Sequence, residues 1–219
     1  EGIKMERIIC LAIGYLFGMF QTSYIIGKIH HMDIRQYGSG NAGTTNALRT
    51  LGKKAGAMTL IGDMLKCVIA ILIVDAVFEN RYQEILPLLG MYTAAGCVLG
   101  HNFPFYLGFR GGKGIAASAG MLLAMDWRVF LICAVIFIGL VAITRYVSLG
   151  SMAAYMGALA CFIGFGAAGS YGMDFPHTFE MDVIMGLMTA LAIYRHRANI
   201  YRLLNGTENK LGAAKTAVK

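Results

Sequence analysis

Two glycine-rich, cationic stretches, GSGNAGTTN at residues 38–46 and GHNFPFYLGFRGGKG at residues 100–114, lie between long apolar segments. Glycine runs let backbone N–H groups converge on a small volume, and interspersed Lys and Arg bring positive charge to it, the combination that binds phosphate. Phosphate chemistry at a bilayer surface is the reading they support. The groups offered are Gly38, Ser39, Gly40, Asn41, Gly43, Asn46 and then Arg49 in the first stretch, and His101, Gly111, Gly112, Lys113 and Gly114 in the second. Each has a plainer reading beside the chemical one. Ser and Asn form turns and tolerate left-handed geometry, and a histidine at a membrane edge is ordinarily a satisfied interfacial residue.

Three familiar patterns fail on context. Gly38, Gly40 and Gly43 satisfy G-x-G-x-x-G with Asp63 about twenty residues on, but a dinucleotide fingerprint needs a preceding strand and a βαβ unit, and an apolar span precedes this one. GGKG at 111–114 is no Walker A, because Leu107 stands at its first glycine and Gly114 replaces the Ser or Thr for magnesium. His177 and Asp182 have the H-x-x-x-x-D spacing of a large acyltransferase class, yet no cationic glycine loop is near them and the topology below puts them on the other side. They read as solvated loop residues, and His30 and His31 carry no role either.

The elements that must position these groups are membrane helices. Hydrophobic residues make up 57% of the 219, charged ones 14%, and mean hydropathy is +0.61, more apolar than a soluble domain requires. Uncharged runs at 8–26 and 147–168 are each long enough to cross about 30 Å of hydrocarbon. Further spans are expected at 55–77, 85–99, 115–125, 129–143 and 181–194. The fold expected is therefore an all-α integral membrane bundle of about seven helices in one polytopic domain. The first run has no basic leader and is too long for a cleavable signal peptide.

An odd number of spans separates the two termini, and the cations follow. Lys28, Arg35, Arg49, Lys53, Lys54, Arg110, Lys113, Arg145, Arg195, Arg197, Arg202, Lys210, Lys215 and Lys219 fall on one side, which is fourteen of the nineteen Lys and Arg. Lys4, Arg7, Arg81 and Arg128 fall on the other, and Lys66 lies inside a span. The positive-inside rule puts the N-terminus outside, the C-terminus at 195–219 in the cytoplasm, and both motif loops, 27–54 and 100–114, on the cytoplasmic face. The net charge of +7 is accounted for by this topology and by anionic lipid, so nucleic acid is not a partner. Cys10, Cys67, Cys97, Cys133 and Cys161 are isolated in apolar runs, with no disulfide or metal spacing. The methionines and aromatics are assigned no function, and Trp127, between Asp126 and Arg128, suits an interfacial belt. Asp63 and Lys66, three apart inside a span where a lone charge costs about 2.5–3.5 kcal/mol, are expected to pair and support the site.

GSGNAGTTN with Arg49, then GHNFPFYLGFRGGKG, then HRANIYRLLNGTE at 196–208 closely resemble, in order and over nearly the whole chain, the three motifs of the PlsY family of bacterial acyl-phosphate:glycerol-3-phosphate acyltransferases. The resemblance implies a seven-helix bacterial inner-membrane protein with its active site facing the cytoplasm. It implies transfer of a fatty acyl group from acyl-phosphate to the 1-position of glycerol 3-phosphate, giving lysophosphatidic acid and inorganic phosphate with no metal or other cofactor. Thr44 stands where alanine is usual, Ala117 where threonine often follows, and Cys67 where glycine is common, and none of these removes a charged or nucleophilic group.

On that resemblance Lys113 with 111–114 is expected to hold glycerol 3-phosphate and Arg49 with the backbone of 38–43 the other phosphate. Ser39 is an acyl carrier, a hydrogen-bond donor or a turn residue, with the donor favoured because no base adjoins it in sequence, although His101 or His196 could approach in space. His196 and Asn199 are three apart on one helical face and jointly meet the acceptor, with Arg202 on the next turn. Glu208 is expected to fix the tail by ion pairing. Ser148 and Ser151 begin a span and either cap it, the favoured account, or touch phosphate, Ser148 being the binding candidate. The rival class is a transporter of phosphorylated anions, against which stand the one-sided polar cluster and the lack of repeated halves.

Overall fold

The computed structural model describes residues 5–212. Ten α-helices account for most of them: α1 Met5–Gly18, α2 Thr22–Ile29, α3 Thr44–Leu51, α4 Lys53–Tyr82, α5 Leu86–Asn102, α6 Ile115–Met125, α7 Trp127–Thr144, α8 Val147–Ala167, α9 Phe175–Arg195 and α10 Arg197–Leu204. No strand occurs among the described residues, as backbone groups in hydrocarbon require when no barrel forms. Stretches Met5–Ile29, Lys53–Leu107, Trp127–Thr144 and Val147–Ala167 are long and apolar enough to cross a membrane. The second is a hairpin, since α4 and α5 are joined through a 3-10 turn at Gln83–Ile85. Of the basic residues in the charge argument, Lys4, Lys215 and Lys219 lie outside the described residues.

Close packing of α1 on α5 rests on two G-x-x-x-G pairs that face one another. Cβ atoms at Gly14 and Gly18 would strike the backbone of Thr93 and Cys97, and Cβ atoms at Gly96 and Gly100 would strike the backbone at Leu11, Tyr15 and Met19. Lipid gives no hydrophobic drive for helices to associate, so contact depends on backbones approaching closely, which small residues permit. Leu11 meets Gly96 and Tyr15 meets Gly100, so the two helices run parallel.

Span 8–26 is not a single helix. It stops at Gly18 and restarts at Thr22, and the carbonyls freed by the break are taken by buried side chains. Lys66 Nζ donates to Phe20 O at 2.7 Å and Gly18 O at 3.2 Å, and Gln21 Nε2 reaches Gly18 O at 3.4 Å while donating to His101 O of α5 at 2.9 Å. The expected Asp63–Lys66 pair forms at 2.9 Å. The same Asp63 oxygen accepts from Thr22 Oγ1 at 3.0 Å, tying α4 to the restarted helix. An uncharged run hid this break because it is stabilised by a lysine forty-odd residues later. The other six apolar segments each overlap one helix, α4 to α9.

Candidate active site

One cavity of about 1360 Å³ gathers both motif stretches, the turn into α8, α10 and the tail. Its mouth is polar and its interior apolar. Seven cations line it, Arg35, Arg49, Arg110, Lys113, Arg195, Arg197 and Arg202, against the carboxylates of Asp33, Asp63 and Glu208. Each of those carboxylates is paired within the protein, with Arg35, Lys66 and Arg202 respectively. The first residues of four helices, Thr44, Ile115, Val147 and Arg197, border the same space. Helix N-termini carry unpaired N–H groups and about half a positive charge each, so the cavity is built for more than one anionic group.

Lys113 lines it from the second motif stretch. Its ammonium donates to Asn199 Oδ1, which fixes the Asn199 amide so that Nδ2 donates to Glu208 Oε1 at 2.7 Å. Glu208 also accepts from Arg202 Nε at 2.7 Å and Ser148 Oγ at 3.0 Å. The tail is thereby pinned across the mouth, as expected of Glu208. It is held further by Arg49 donating to Asn209 O at 3.3 Å and by the backbone pair Leu211 N to Arg145 O at 2.7 Å. Burial pushes Lys113 down to about 8, with Arg202, Arg195 and Arg49 adding to the fall and Glu208 opposing it. Burial also pushes Glu208 up, but the hydrogen bonds from Asn199, Arg202 and Ser148 outweigh it and leave the carboxyl below its usual range.

His196 lies between α9 and α10, buried, with Nδ1 against Ala192 O at 2.7 Å. A carbonyl only accepts, so Nδ1 carries the proton and Nε2 is the acceptor. Burial and then the Lys113 ammonium hold this ring down at about 4, so it is neutral at physiological pH. His101 is engaged differently. Lys66 Nζ is 2.8 Å from its Nδ1, which must accept, and a Cβ at Gly112 would strike its Nε2. The ring therefore supports the second glycine loop from below, although it borders the cavity. Neither histidine hydrogen-bonds Ser39, whose exposed side chain has no base on it among the described residues, so a nucleophilic serine finds no activating partner among them.

The glycine loops differ from expectation in one respect. Their N–H groups are largely closed on the loops themselves: Gly40 on Tyr37 O, Gly43 on Asn41 O, Ser39 on Asn46 Oδ1, Gly111 on Asn102 O and Gly112 on His101 O, all at 2.9–3.1 Å. These turns make their own hydrogen bonds, so these glycines give shape rather than anion donors, and the free donors are the Lys113 N–H and those at the helix starts that follow. Gly38, at φ +59, could not bear a side chain, since a Cβ would strike Asn46 Oδ1. Gly114, at φ +80, occupies the N-cap position of α6 and lies over Asn102. Asn46 is likewise a framework residue, donating to Ile34 O and Tyr37 O at 3.0 Å. Ser148 does not cap α8, whose cap position, Tyr146, makes no side-chain bond. Its hydroxyl goes to Glu208, and Ser151 bonds back to Val147 O at 2.8 Å. His177 pairs with Asp174 at 2.6 Å, so the H-x-x-x-x-D spacing brings nothing together. Gly38, Gly112 and Lys66 do not border the cavity, while Ser39, Gly40, Asn41, Gly43, Asn46, Arg49, Asp63, Gly111, Lys113, Gly114, Ser148, His196, Asn199 and Glu208 do.

Beyond the polar mouth, α6, α7, α8 and α9 form an apolar wall that includes Met121, Phe130, Phe137, Ala158 and Met185. Its polar pair, Ser118 and Tyr155, hydrogen-bond each other. From Ser148 to Ala158 the wall extends ten residues along α8, about 15 Å. That is half of a hydrocarbon core about 30 Å thick, the depth of one leaflet's acyl chain.

A family model described as glycerol-3-phosphate acyltransferase matches residues 8–206. A glycerol-3-phosphate acyltransferase of Clostridioides difficile (strain 630) is 49% identical over 210 residues, covering 95% of this chain and 97% of that protein. A crystal structure of PlsY, an integral membrane glycerol 3-phosphate acyltransferase, in its glycerol 3-phosphate form matches with TM-score 0.80 at 34% identity, over 94% of this chain and 96% of that one. The lysophosphatidic acid form of PlsY matches with TM-score 0.77 at 34% identity, over 94% and 95%.

Proposed function

The chain belongs to the glycerol-3-phosphate acyltransferase family, and from that premise we propose that it transfers a fatty acyl group from acyl-phosphate to the 1-position of glycerol 3-phosphate. It is a multi-pass membrane protein, and the basic end that carries the cavity mouth faces the cytoplasm from the bacterial inner membrane. The observation that carries the reading is the one cavity with an anion-binding mouth and an apolar interior of leaflet depth. A transporter would need neither the chain-length groove nor the part-buried Lys113–Asn199–Glu208 chain.

The acceptor hydroxyl attacks the acyl carbonyl carbon, a C–O ester bond forms, and the C–O bond of the mixed anhydride breaks to release inorganic phosphate. The neutral Nε2 of His196 accepts the hydroxyl proton, and phosphate dianions entering beside it raise its basicity. Lys113 and Arg202 hold the glycerol 3-phosphate group, and Arg49 with the start of α3 holds the donor phosphate. The Ser39 hydroxyl donates to the donor's oxygens. Asn199 and Glu208 orient Lys113. The donor chain enters from lipid along α6 to α8.

Purified protein given labelled glycerol 3-phosphate is expected to form lysophosphatidic acid from acyl-phosphate with equimolar phosphate release, and none from acyl-CoA or an acyl carrier protein thioester. His196→Gln, which keeps an acceptor but no base, is expected to lose most of that rate. Activity with a thioester alone would remove the donor assignment, and product from neither would return the anion-transport reading.

A further inference from the structure

Arg195 ends α9 beside the cavity, yet its guanidinium is turned onto the second glycine loop. Nη2 donates to Gly112 O at 2.7 Å and Gly111 O at 3.1 Å, and the group lies 5.2 Å from the centre of the Phe103 ring. Carbonyl oxygens repel an incoming phosphate, and a loop meant to hold one must turn them aside. In a trans peptide the N–H lies opposite the C=O, and all peptides among the described residues are trans. Fixing the Gly112 carbonyl on Arg195 therefore sends the Lys113 N–H to the opposite face. That N–H has no hydrogen-bond partner among the described residues, whereas the Gly112 N–H, set by the Gly111 carbonyl, goes to His101 O at 3.1 Å. From below, His101 is set in turn by Lys66, so the loop is clamped on two sides.

We propose that Arg195 is a positioning residue for the acyl transfer, drawing the Gly111 and Gly112 carbonyls away from the bound phosphate so that the Lys113 N–H and ammonium face it. This rests on the reading of the cavity above. The role separates into donation, which aims the loop, and charge, which acts on Lys113 together with Arg49 of α3, His196, Arg202 of α10 and Glu208 of the tail.

The test compares Arg195→Gln, which keeps an N–H donor without charge, with Arg195→Met, which keeps bulk over Phe103 without a donor, in the purified full-length protein. Arg195→Met is expected to raise KM for glycerol 3-phosphate about tenfold or more, the range for a lost hydrogen bond from a charged group. Arg195→Gln is expected to stay within about threefold of wild type. Both are expected to move the alkaline limb of kcat/KM to higher pH, since both remove a cation facing Lys113. Calorimetric Kd for glycerol 3-phosphate gives the same ordering without turnover, so a protein inactive toward acyl-phosphate would still decide the point. Equal damage in both variants, or wild-type KM and Kd in Arg195→Met, would overturn the proposal.

Discussion

Lys113 combines two demands that oppose each other. Burial weakens its proton affinity, to about 8, while phosphate recognition needs the ammonium charged. The charged form is complete well below pH 8 and is lost as pH rises through that value, so kcat/KM of the enzyme toward glycerol 3-phosphate is expected to fall above about pH 8. A pH–rate profile at subsaturating acceptor checks it, and a profile flat to pH 10 would contradict the burial of this lysine. The two residues flanking this chemistry differed in legibility. Glu208 was readable as a tail anchor because a lone carboxylate amid Arg195, Arg197 and Arg202 has only them to pair with. The capping account of Ser148 fails because its partner, Glu208, is sixty residues away, and sequence shows only the helix start beside it.

The elements differ in how much of themselves they display. Helix α6, at Ile115–Met125, lies between two polarity changes, and those boundaries are visible in composition. The break at 19–21 is not, because the donor that satisfies it across helices is Lys66 of α4. The self-pairing of the glycine loops was hidden for a similar reason, since a run of glycines announces flexibility but not which carbonyl each N–H meets. The G-x-x-x-G pairs at Gly14/Gly18 and Gly96/Gly100 were in plain sight and point to the α1–α5 contact. Gly96→Leu is expected to prevent assembly, because the obstacle to a Cβ is the backbone of Leu11 and Tyr15, which cannot step aside. Gly139→Leu, where nothing lies within 4 Å, is expected to leave the protein monodisperse and folded. Size-exclusion profiles and thermal melts in detergent compare the two, and equal tolerance would contradict this packing.

At the scale of the molecule, the bundle holds charge and grease in one cavity by letting four helices begin where α6 to α9 present their apolar faces. The cavity was foreseeable as a cationic site from the motifs, but its depth was not, since which faces of α6, α7, α8 and α9 meet is decided by packing. That depth carries a prediction. Burying a methylene is worth about 0.8 kcal/mol, so kcat/KM for acyl-phosphates of increasing length is expected to rise roughly fourfold per methylene and level off once the chain passes Ala158. A response flat with chain length would place the acyl group outside the groove.

On the proposed function, the Lys113 ammonium in this cavity serves acyl transfer from acyl-phosphate to glycerol 3-phosphate. The most direct measurement is kcat/KM for lysophosphatidic acid formation by wild type and by folded Lys113→Ala, side by side with acyl-phosphate as donor. The expected result is a loss of roughly 10²- to 10³-fold, the scale of removing one preorganised charge-stabilising donor. A variant within a few-fold of wild type would contradict the account.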